Sequence, residues 1–146
     1  MILRTYQINA IDACLDRPNV VLVAPTGSGK TVMGVEVVFR AGLKTVWVAH
    51  RRELIYQAVS ALRGAGVEPG IILPGEPAHP ERQIQVASIQ TIARRGLPPC
   101  DMVVIDEAHH VAADSYAVLQ VPGVRLLGLT ATPFRLDGAG LRPPFE

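Results

Sequence analysis

The sequence has 146 residues, of which 49% are hydrophobic and 18% are charged, and its formal net charge is +1 at pH 7. This length and composition favour one globular domain with a sizeable core and exclude a disordered chain. The small net charge provides no overall attraction to a polyanion, so any contact with nucleic acid has to come from local patches.

Helical and strand-like patterns alternate along the chain, in the order typical of a three-layer α/β domain. The helical patterns are a first one with Ile8, Ile11 and Leu15 on one face, an apolar one over 32–39 that should pack against a sheet, and a third with the stripe Leu54, Ala58 and Leu62 that ends at Gly64 and Gly66. The strand-like runs are short and not alternating, which is typical of parallel strands buried on both faces. They are Val20–Val23, Thr45–Ala49, Ile71–Leu73, Ile84–Ala87, Met102–Ile105 and Leu126–Leu129.

A glycine-rich run lies between the first predicted strand and the second predicted helix, and it reads Ala24-Pro25-Thr26-Gly27-Ser28-Gly29-Lys30-Thr31. Strand, glycine-rich turn and helix form the context of a phosphate-binding loop, in which backbone N–H groups and a helix N-terminus bind an anion. Lys30 is expected to reach the terminal phosphates of a nucleotide, and the Thr31 hydroxyl to ligate Mg²⁺. The alternative is a glycine-rich turn with an accidental Lys-Thr pair, which the flanks and the spacing disfavour.

Two carboxylates follow the fifth predicted strand, in the run Asp106-Glu107-Ala108-His109. Ligands of open α/β sheets bind at the edge where the strands end. We expect Asp106 to hold Mg²⁺ through water, and Glu107 to orient or deprotonate an attacking water. An ordinary solvated turn is the alternative, and the phosphate loop on the same inferred sheet disfavours it.

Six short motifs, in a fixed order over residues 4–132, make the chain resemble the first motor domain of superfamily 2 helicases, the DExD/H-box group. Arg4-Thr5-Tyr6-Gln7 resembles the adenine-reading Q motif, and the glycine-rich run resembles motif I. The others are Ala49–Leu54, similar to motif Ia, Ser88–Thr91, similar to the next nucleic-acid motif, the literal DEAH at Asp106–His109, and Thr130-Ala131-Thr132, similar to motif III. The resemblance implies a RecA-like P-loop NTPase domain over 1–136, with a mostly parallel sheet flanked by helices, and the start of a linker over 137–146.

The resemblance also implies ATP and Mg²⁺ as cofactors and assigns roles to the matching residues. The nucleotide-binding positions are Arg4, Gln7, Pro25, Thr26, Gly27, Ser28, Gly29, Lys30 and Thr31. The catalytic set is Lys30, Asp106, Glu107 and His109, with Thr31 and Asp106 at the Mg²⁺. His109 is expected to link the carboxylates to Thr130, Ala131 and Thr132, which would couple the nucleotide site to movement on a strand.

The residues in and around two motifs indicate which helicases of superfamily 2 the chain resembles most. The runs 106–110 and 128–138 are similar to those of RadD-like repair helicases, XPB-type helicases and the translocase subunits of type III restriction enzymes, all of which act on DNA. We therefore expect a DNA partner, with RNA less favoured, and a role in DNA repair.

Four residues are predicted to contact nucleic acid: Arg51, Arg52, Gln90 and Thr91. Guanidinium groups, and hydrogen-bond donors near a helix start, suit the phosphate backbone. The alternatives are a solvated pair of arginines at a helix start and a simple helix cap at 90–91. Arg94 and Arg95 are expected to neutralise a helix C-terminus.

Cys14 and Cys100 lie far apart and form no CxxC pair, which is typical of buried thiols in an intracellular protein. No apolar run approaches the length of a membrane span, and no signal peptide is recognisable. We therefore expect a cytoplasmic protein without a membrane partner.

The sequence stops soon after motif III, so we expect the family's second RecA-like domain, which supplies an arginine finger, to be missing. Such a chain should bind nucleotide weakly and turn over little. The alternatives are a standalone module that binds a nucleotide or a partner without motor activity, an RNA-directed DExH helicase, and a small P-loop kinase.

Overall fold

The computed structural model describes residues 5–23, 29–107 and 118–130. Helices and strands alternate over most of this length. Their bounds are α1 Thr5–Leu15, β1 Asn19–Val23, α2 Lys30–Ala41, β2 Thr45–Ala49, α3 Arg52–Gly64, β3 Gly70–Ile72, β4 Ile84–Ser88, α4 Ile89–Arg95, β5 Met102–Asp106 and β6 Arg125–Thr130.

The six described strands form one sheet in the order β1-β6-β5-β2-β4-β3, and all neighbouring strands run parallel. The register pairs Thr45 with Met102 and Val48 with Ile105, so β2 and β5 end side by side. Because all the strands are parallel, their carboxyl ends share one edge of the sheet. We call this the carboxyl edge. Helices α2, α3 and α4, which follow β1, β2 and β4, begin near it, as does the turn after β5.

Apolar side chains fill both faces of the sheet, which confirms the predicted three-layer α/β fold. One cluster packs the sheet against α1, α2 and α3 and includes Ile11, Met33, Trp47, Ile55 and Leu62. The other lies on the opposite face, and it includes Val46, Val48, Val103, Ile105 and Ile92 of α4. Each fully buried side chain of this kind stabilises the fold by about 1.5–3 kcal/mol relative to exposure, so the two-sided burial explains why the strands are continuously apolar.

The predicted inner faces of two helices are partly wrong. The buried residues of α1 are Gln7, Ile11 and Cys14, whereas Ile8 is 39% exposed. The apolar run of α2 does not face the sheet throughout, because Phe39 is 60% exposed. A helix turns about 100° per residue, so a run that is apolar on every side still presents only one stripe to the sheet. No helix among the described ranges is long and apolar enough to span a membrane.

Candidate nucleotide and nucleic-acid sites

The end of the predicted phosphate loop has the backbone that this loop requires. Gly29 precedes α2 with φ 83° and ψ 34°, a left-handed conformation that favours glycine. Its carbonyl accepts from the Met33 N–H at 2.9 Å, and no side chain caps the helix. The other N–H groups at this end are therefore not used by a side-chain cap and point toward the carboxyl edge. The loop positions Pro25, Thr26, Gly27 and Ser28 lie outside the described residues.

Helix α1 brings Gln7 against this loop. Gln7 is buried, and its Nε2 lies 2.8 Å from the point that a Cβ on Gly29 would occupy. Residues 22 positions apart in the chain thus meet at the start of α2. The sequence predicted both for the nucleotide site, and the structure places them together. Arg4, the other predicted member of the Q motif, lies outside the described ranges.

Asp106 ends β5 at the carboxyl edge and is only 7% exposed. Burial, and next the negative charge of Glu107, raise the pKa of Asp106 to about 6. The Trp47 indole, the backbone N–H of Glu107 and the Lys30 ammonium act in the other direction on this pKa. The effect of Lys30 shows that the predicted phosphate-binding lysine and the predicted metal-binding carboxylate lie within electrostatic reach of each other.

The turn after Asp106 is strained at Glu107, whose φ is +56°. Among the described residues Glu107 is the only one other than glycine with a positive φ. Such strain costs roughly 1–3 kcal/mol and persists where the surroundings hold it, often at functional sites. The turn sets the direction of the half-exposed Glu107 side chain immediately beside Asp106.

A second cleft, of about 230 Å³, lies farther along the carboxyl edge, between the start of α3 and α4. We call it the α3–α4 cleft, and its lining is His50, Arg52, Ile55, Leu73, Pro74, Ser88, Gln90, Thr91 and Arg94. It brings together three of the four predicted nucleic-acid residues, Arg52, Gln90 and Thr91. Arg51 does not line it; this side chain is exposed, and its Nη1 lies 3.6 Å from Glu53 Oε1.

Hydrogen bonds hold the floor of the α3–α4 cleft. Gln90 Nε2 donates to the His50 carbonyl at 3.2 Å and so links α4 to the end of β2. Ser88 caps α4 by accepting from the Thr91 N–H at 3.1 Å, and its hydroxyl donates to Thr91 Oγ1 at 2.7 Å. Thr91 is therefore part of the cap, while Arg52 and Arg94 supply the cationic groups of the lining.

Sequence reasoning missed three residues of these sites: Trp47, His50 and Arg94. The signal for Arg94 was present, because it stands three and four positions after Thr91 and Gln90, on the same side of a helix. Trp47 gave no signal beyond an apolar strand. Among the predicted coupling residues Thr130 ends β6 and is buried, whereas Ala131, Thr132 and the predicted His109 lie outside the described part of the chain.

Comparison with known proteins gives a consistent set of relatives. The family model for the type III restriction enzyme Res subunit matches residues 1–135. The DNA 3'-5' translocase XPB2 of Sulfurisphaera tokodaii is 32% identical over 140 residues, which cover 93% of this chain and 32% of that protein. The putative ATP-dependent helicase IRC3 of Saccharomyces cerevisiae is 31% identical, with 96% of this chain and 25% of that protein covered.

A solved structure shares the fold. The crystal structure of a hypothetical ATP-dependent RNA helicase from Sulfolobus tokodaii matches with a TM-score of 0.72 and 27% identity, over 91% of this chain and 47% of that chain. The present chain thus spans about a third or less of the two curated relatives and about half of the solved structure.

Proposed function

This chain belongs to the family of the type III restriction enzyme Res subunit, as an N-terminal motor domain of superfamily 2, and we propose that it is the ATP-binding half of an ATP-dependent DNA helicase or translocase. The observation that carries the proposal is the meeting of Gln7, Gly29, Lys30 and Asp106 at one edge of a parallel sheet. The convergence of four residues from three separate motifs supports a nucleotide site at this edge.

The residues present fit a nucleotide with a divalent cation. The left-handed Gly29 leaves room beside the Gln7 amide, and the buried Asp106 carboxylate has a raised pKa that a nearby cation would lower. Mg²⁺, when bound, would neutralise phosphate charge and accept oxygen ligands. In the proposed site Lys30 binds the terminal phosphates, the Thr31 hydroxyl and Asp106 hold the metal, and Glu107 takes a proton from the attacking water.

The remaining motif residues have supporting roles in this proposal. Backbone N–H groups of 25–29 bind phosphate oxygens, and Gln7, with Arg4, reads adenine through an amide that both donates and accepts. His109 links the carboxylates to 130–132, which couple hydrolysis to movement. The order of these motifs along the chain supports the assignments.

The proposed DNA contact is the α3–α4 cleft. The XPB2 protein is named a DNA translocase, and the cleft offers the guanidinium groups of Arg52 and Arg94 with the amide of Gln90. Such groups bind the phosphate backbone without reading the bases, as a motor that moves along DNA requires. The RNA helicase name of the solved relative makes RNA the alternative substrate.

The proposed partner within the same motor is a second RecA-like domain, which would supply an arginine finger from the other side of the nucleotide. The boundary of the ATP-binding domain at 136, the linker over 137–146 and a cytoplasmic location remain predictions. A standalone nucleotide-binding module is the alternative function, and it would bind a nucleotide without DNA-dependent hydrolysis in any context.

The nucleotide site is tested with a lysine pair. Lys30→Ala should abolish the rise in melting temperature that Mg²⁺ and a non-hydrolysable ATP analogue produce, because a ligand stabilises only the fold that binds it. Lys44→Ala is the matched control, since Lys44 is the only other lysine of the chain and lies, exposed, before β2. Equal stabilisation of both variants would contradict the assignment of Lys30.

The DNA site is tested by salt dependence. Arg52→Ala and Arg94→Ala should each weaken binding to single-stranded and duplex DNA of any sequence. In a plot of the logarithm of the association constant against the logarithm of salt concentration, each should reduce the magnitude of the slope by about one. Arg63→Ala is the control, because Arg63 is paired with Glu68 and lies outside the cleft lining. Binding of RNA with higher affinity than DNA, and with the same two arginines, would favour the RNA alternative.

A further inference from the structure

Trp47, the only tryptophan of the chain, lies in the middle of β2 and is 0% exposed. Its indole lies against α2 at Gly34, where a Cβ would come within 2.9 Å of Trp47 Cη2. Gly34 is one helical turn after Lys30. The ring therefore lies directly below the start of the helix that follows the phosphate loop.

The indole and the Asp106 carboxylate lie on the same face of the sheet. Trp47 is paired in register with Val104 of β5, and Asp106 is two residues farther along that strand. Alternate residues of a strand point to the same side, so Asp106 extends toward α2 as Val104 and Trp47 do. The indole N–H is close enough to the Asp106 carboxyl to lower its pKa, although the two groups do not meet full hydrogen-bond geometry.

The indole N–H has no completed hydrogen bond. Nε1 is buried and has no acceptor with hydrogen-bonding geometry within the described ranges. A buried donor without an acceptor is uncommon and unfavourable, and it calls for a specific explanation. If the ring served packing alone, a phenylalanine or leucine would fill an apolar core without burying this donor.

We infer that Trp47 is a positioning residue for Asp106, and that its N–H donates to one carboxylate oxygen when the nucleotide site is loaded. The bond would fix the orientation of the carboxylate that is proposed to hold Mg²⁺. This inference rests on the proposed nucleotide-binding function and adds a residue that supports a metal ligand from behind, as second-shell donors do in metal sites.

The first test uses the single indole as its own probe. In a ¹H–¹⁵N spectrum of the ¹⁵N-labelled chain, the only indole N–H resonance should move downfield and exchange more slowly with solvent when Mg²⁺ and ADP are added. In Asp106→Asn the same addition should leave it unchanged, because the amide offers a weaker acceptor and binds the metal poorly. A wild-type indole resonance that stays in place at saturating Mg²⁺ and ADP would overturn the inference.

The second test separates the N–H from the packing of the ring. Replacement of Trp47 by 3-benzothienylalanine, in which sulfur stands where the indole has N–H, keeps the shape of the side chain. Calorimetry should show ADP affinity without Mg²⁺ within twofold of wild type, and the gain from Mg²⁺ reduced about tenfold. If Trp47→Phe folds, it should likewise keep its ADP affinity without Mg²⁺ and lose most of the gain from Mg²⁺. If it does not fold, the 3-benzothienylalanine variant alone provides the test.

The outcomes distinguish this inference from the function on which it rests. An isostere with the full wild-type gain from Mg²⁺ would contradict the role of Trp47 while leaving the nucleotide site intact. A wild-type chain that binds no Mg²⁺-nucleotide at all would contradict the proposed function, and the inference would fall with it.

Discussion

At the scale of single residues, Gly29 meets two separate requirements. Its φ of 83° favours glycine over any residue with a Cβ, and the Gln7 amide lies where that Cβ would be. The first requirement concerns stability and costs about 1 kcal/mol when it is not met. The second concerns the proposed nucleotide site. The end of the Gln7 side chain could move away from a Cβ at little cost in stability, but the amide would then no longer lie beside the phosphate loop.

A comparison of two glycines separates these requirements. Gly42 has φ 63° after α2, and a Cβ there would meet nothing within 4 Å. Gly29→Ala and Gly42→Ala should therefore lower the free energy of unfolding by similar amounts, about 1 kcal/mol each. Only Gly29→Ala should weaken adenine nucleotide binding, measured by calorimetry, since only it displaces Gln7. Unchanged affinity in Gly29→Ala would separate Gln7 from the adenine site.

The charged form of the buried Asp106 carboxyl destabilises the fold. Its pKa of about 6 exceeds the ordinary value of 3.8, so between these values the folded state binds more protons than the unfolded state. The contribution of this group to stability is then greatest below pH 4 and falls as the pH rises through 6. By pH 7.5 the loss is on the order of a few kcal/mol.

Asp106→Asn should accordingly be more stable than the wild type at pH 7.5 in the absence of nucleotide, by about 1–3 kcal/mol in urea denaturation. At pH 4 the advantage should be nearly gone, because the wild-type carboxyl is then protonated in the fold. Asp101→Asn, an exposed position just before β5, should show no such pH-dependent gain. If Asp106→Asn is less stable than wild type at pH 7.5, burial does not govern this carboxyl.

At the scale of elements, α2 is held close to the sheet by the absence of a side chain. A Cβ on Gly34 would lie 2.8 Å from Leu129 Cδ1 and 2.9 Å from Trp47 Cη2, both in the packed core. The distance between α2 and β5 sets how far Lys30 stands from Asp106. The core contact at Gly34 therefore bears on the site as well as on packing.

Gly34→Ala should destabilise the fold by about 1–3 kcal/mol, because overpacking of a filled core outweighs the higher helix propensity of alanine. Gly64→Ala, at the end of α3 with nothing within 4 Å, should instead be neutral or stabilise by up to about 1 kcal/mol. Thermal denaturation of the pair measures both signs. A stabilised Gly34→Ala would show that α2 can move away from the sheet.

Sequence patterns predicted the elements better than their packing. The short apolar runs identified the six described strands, because burial on both faces leaves few polar positions, and in β2 the polar Thr45 stands at the first position. The apolar pattern of α1 did not predict its buried face, because the polar Gln7 is buried there and the apolar Ile8 is exposed. The strand order and the contact of Trp47 with α2 depend on distant residues, which no local period encodes.

The predicted site divides in the same way. Lys30 and Asp106 could be predicted as candidates because phosphate loops and strand-end carboxylates have short, position-specific patterns, and the structure places the two within electrostatic reach. Arg94 lies in the last turn of α4, as predicted, but its place with Arg52 in the lining of the α3–α4 cleft could not be predicted, because it requires α3 and α4 to begin at the same sheet edge. Contacts of this kind arise from the tertiary arrangement and not from spacing.

At the scale of the whole molecule, the parallel sheet brings the ends of β1, β2, β4, β5 and β6 to one edge, so the proposed nucleotide site and the proposed DNA contact lie on the same side of one domain. The chain spans 32% of the XPB2 translocase that it resembles. In the proposed function the remaining catalytic charge, an arginine finger, comes from a second RecA-like domain. Such a finger is worth a factor of about 10³–10⁵ in rate, so this chain alone should bind without measurable turnover.

This expectation has an internal control in Glu107→Gln, which removes the proposed proton acceptor and keeps a side chain of the same size. The isolated wild-type chain and the variant should both be stabilised by Mg²⁺-nucleotide. Both should also show only the enzyme-free background release of phosphate in a DNA-stimulated assay, because without the finger the turnover of either chain falls below detection. Turnover by a chain shown to be monomeric, and abolished in Glu107→Gln, would establish that the carboxyl edge of this single sheet completes the hydrolytic site by itself.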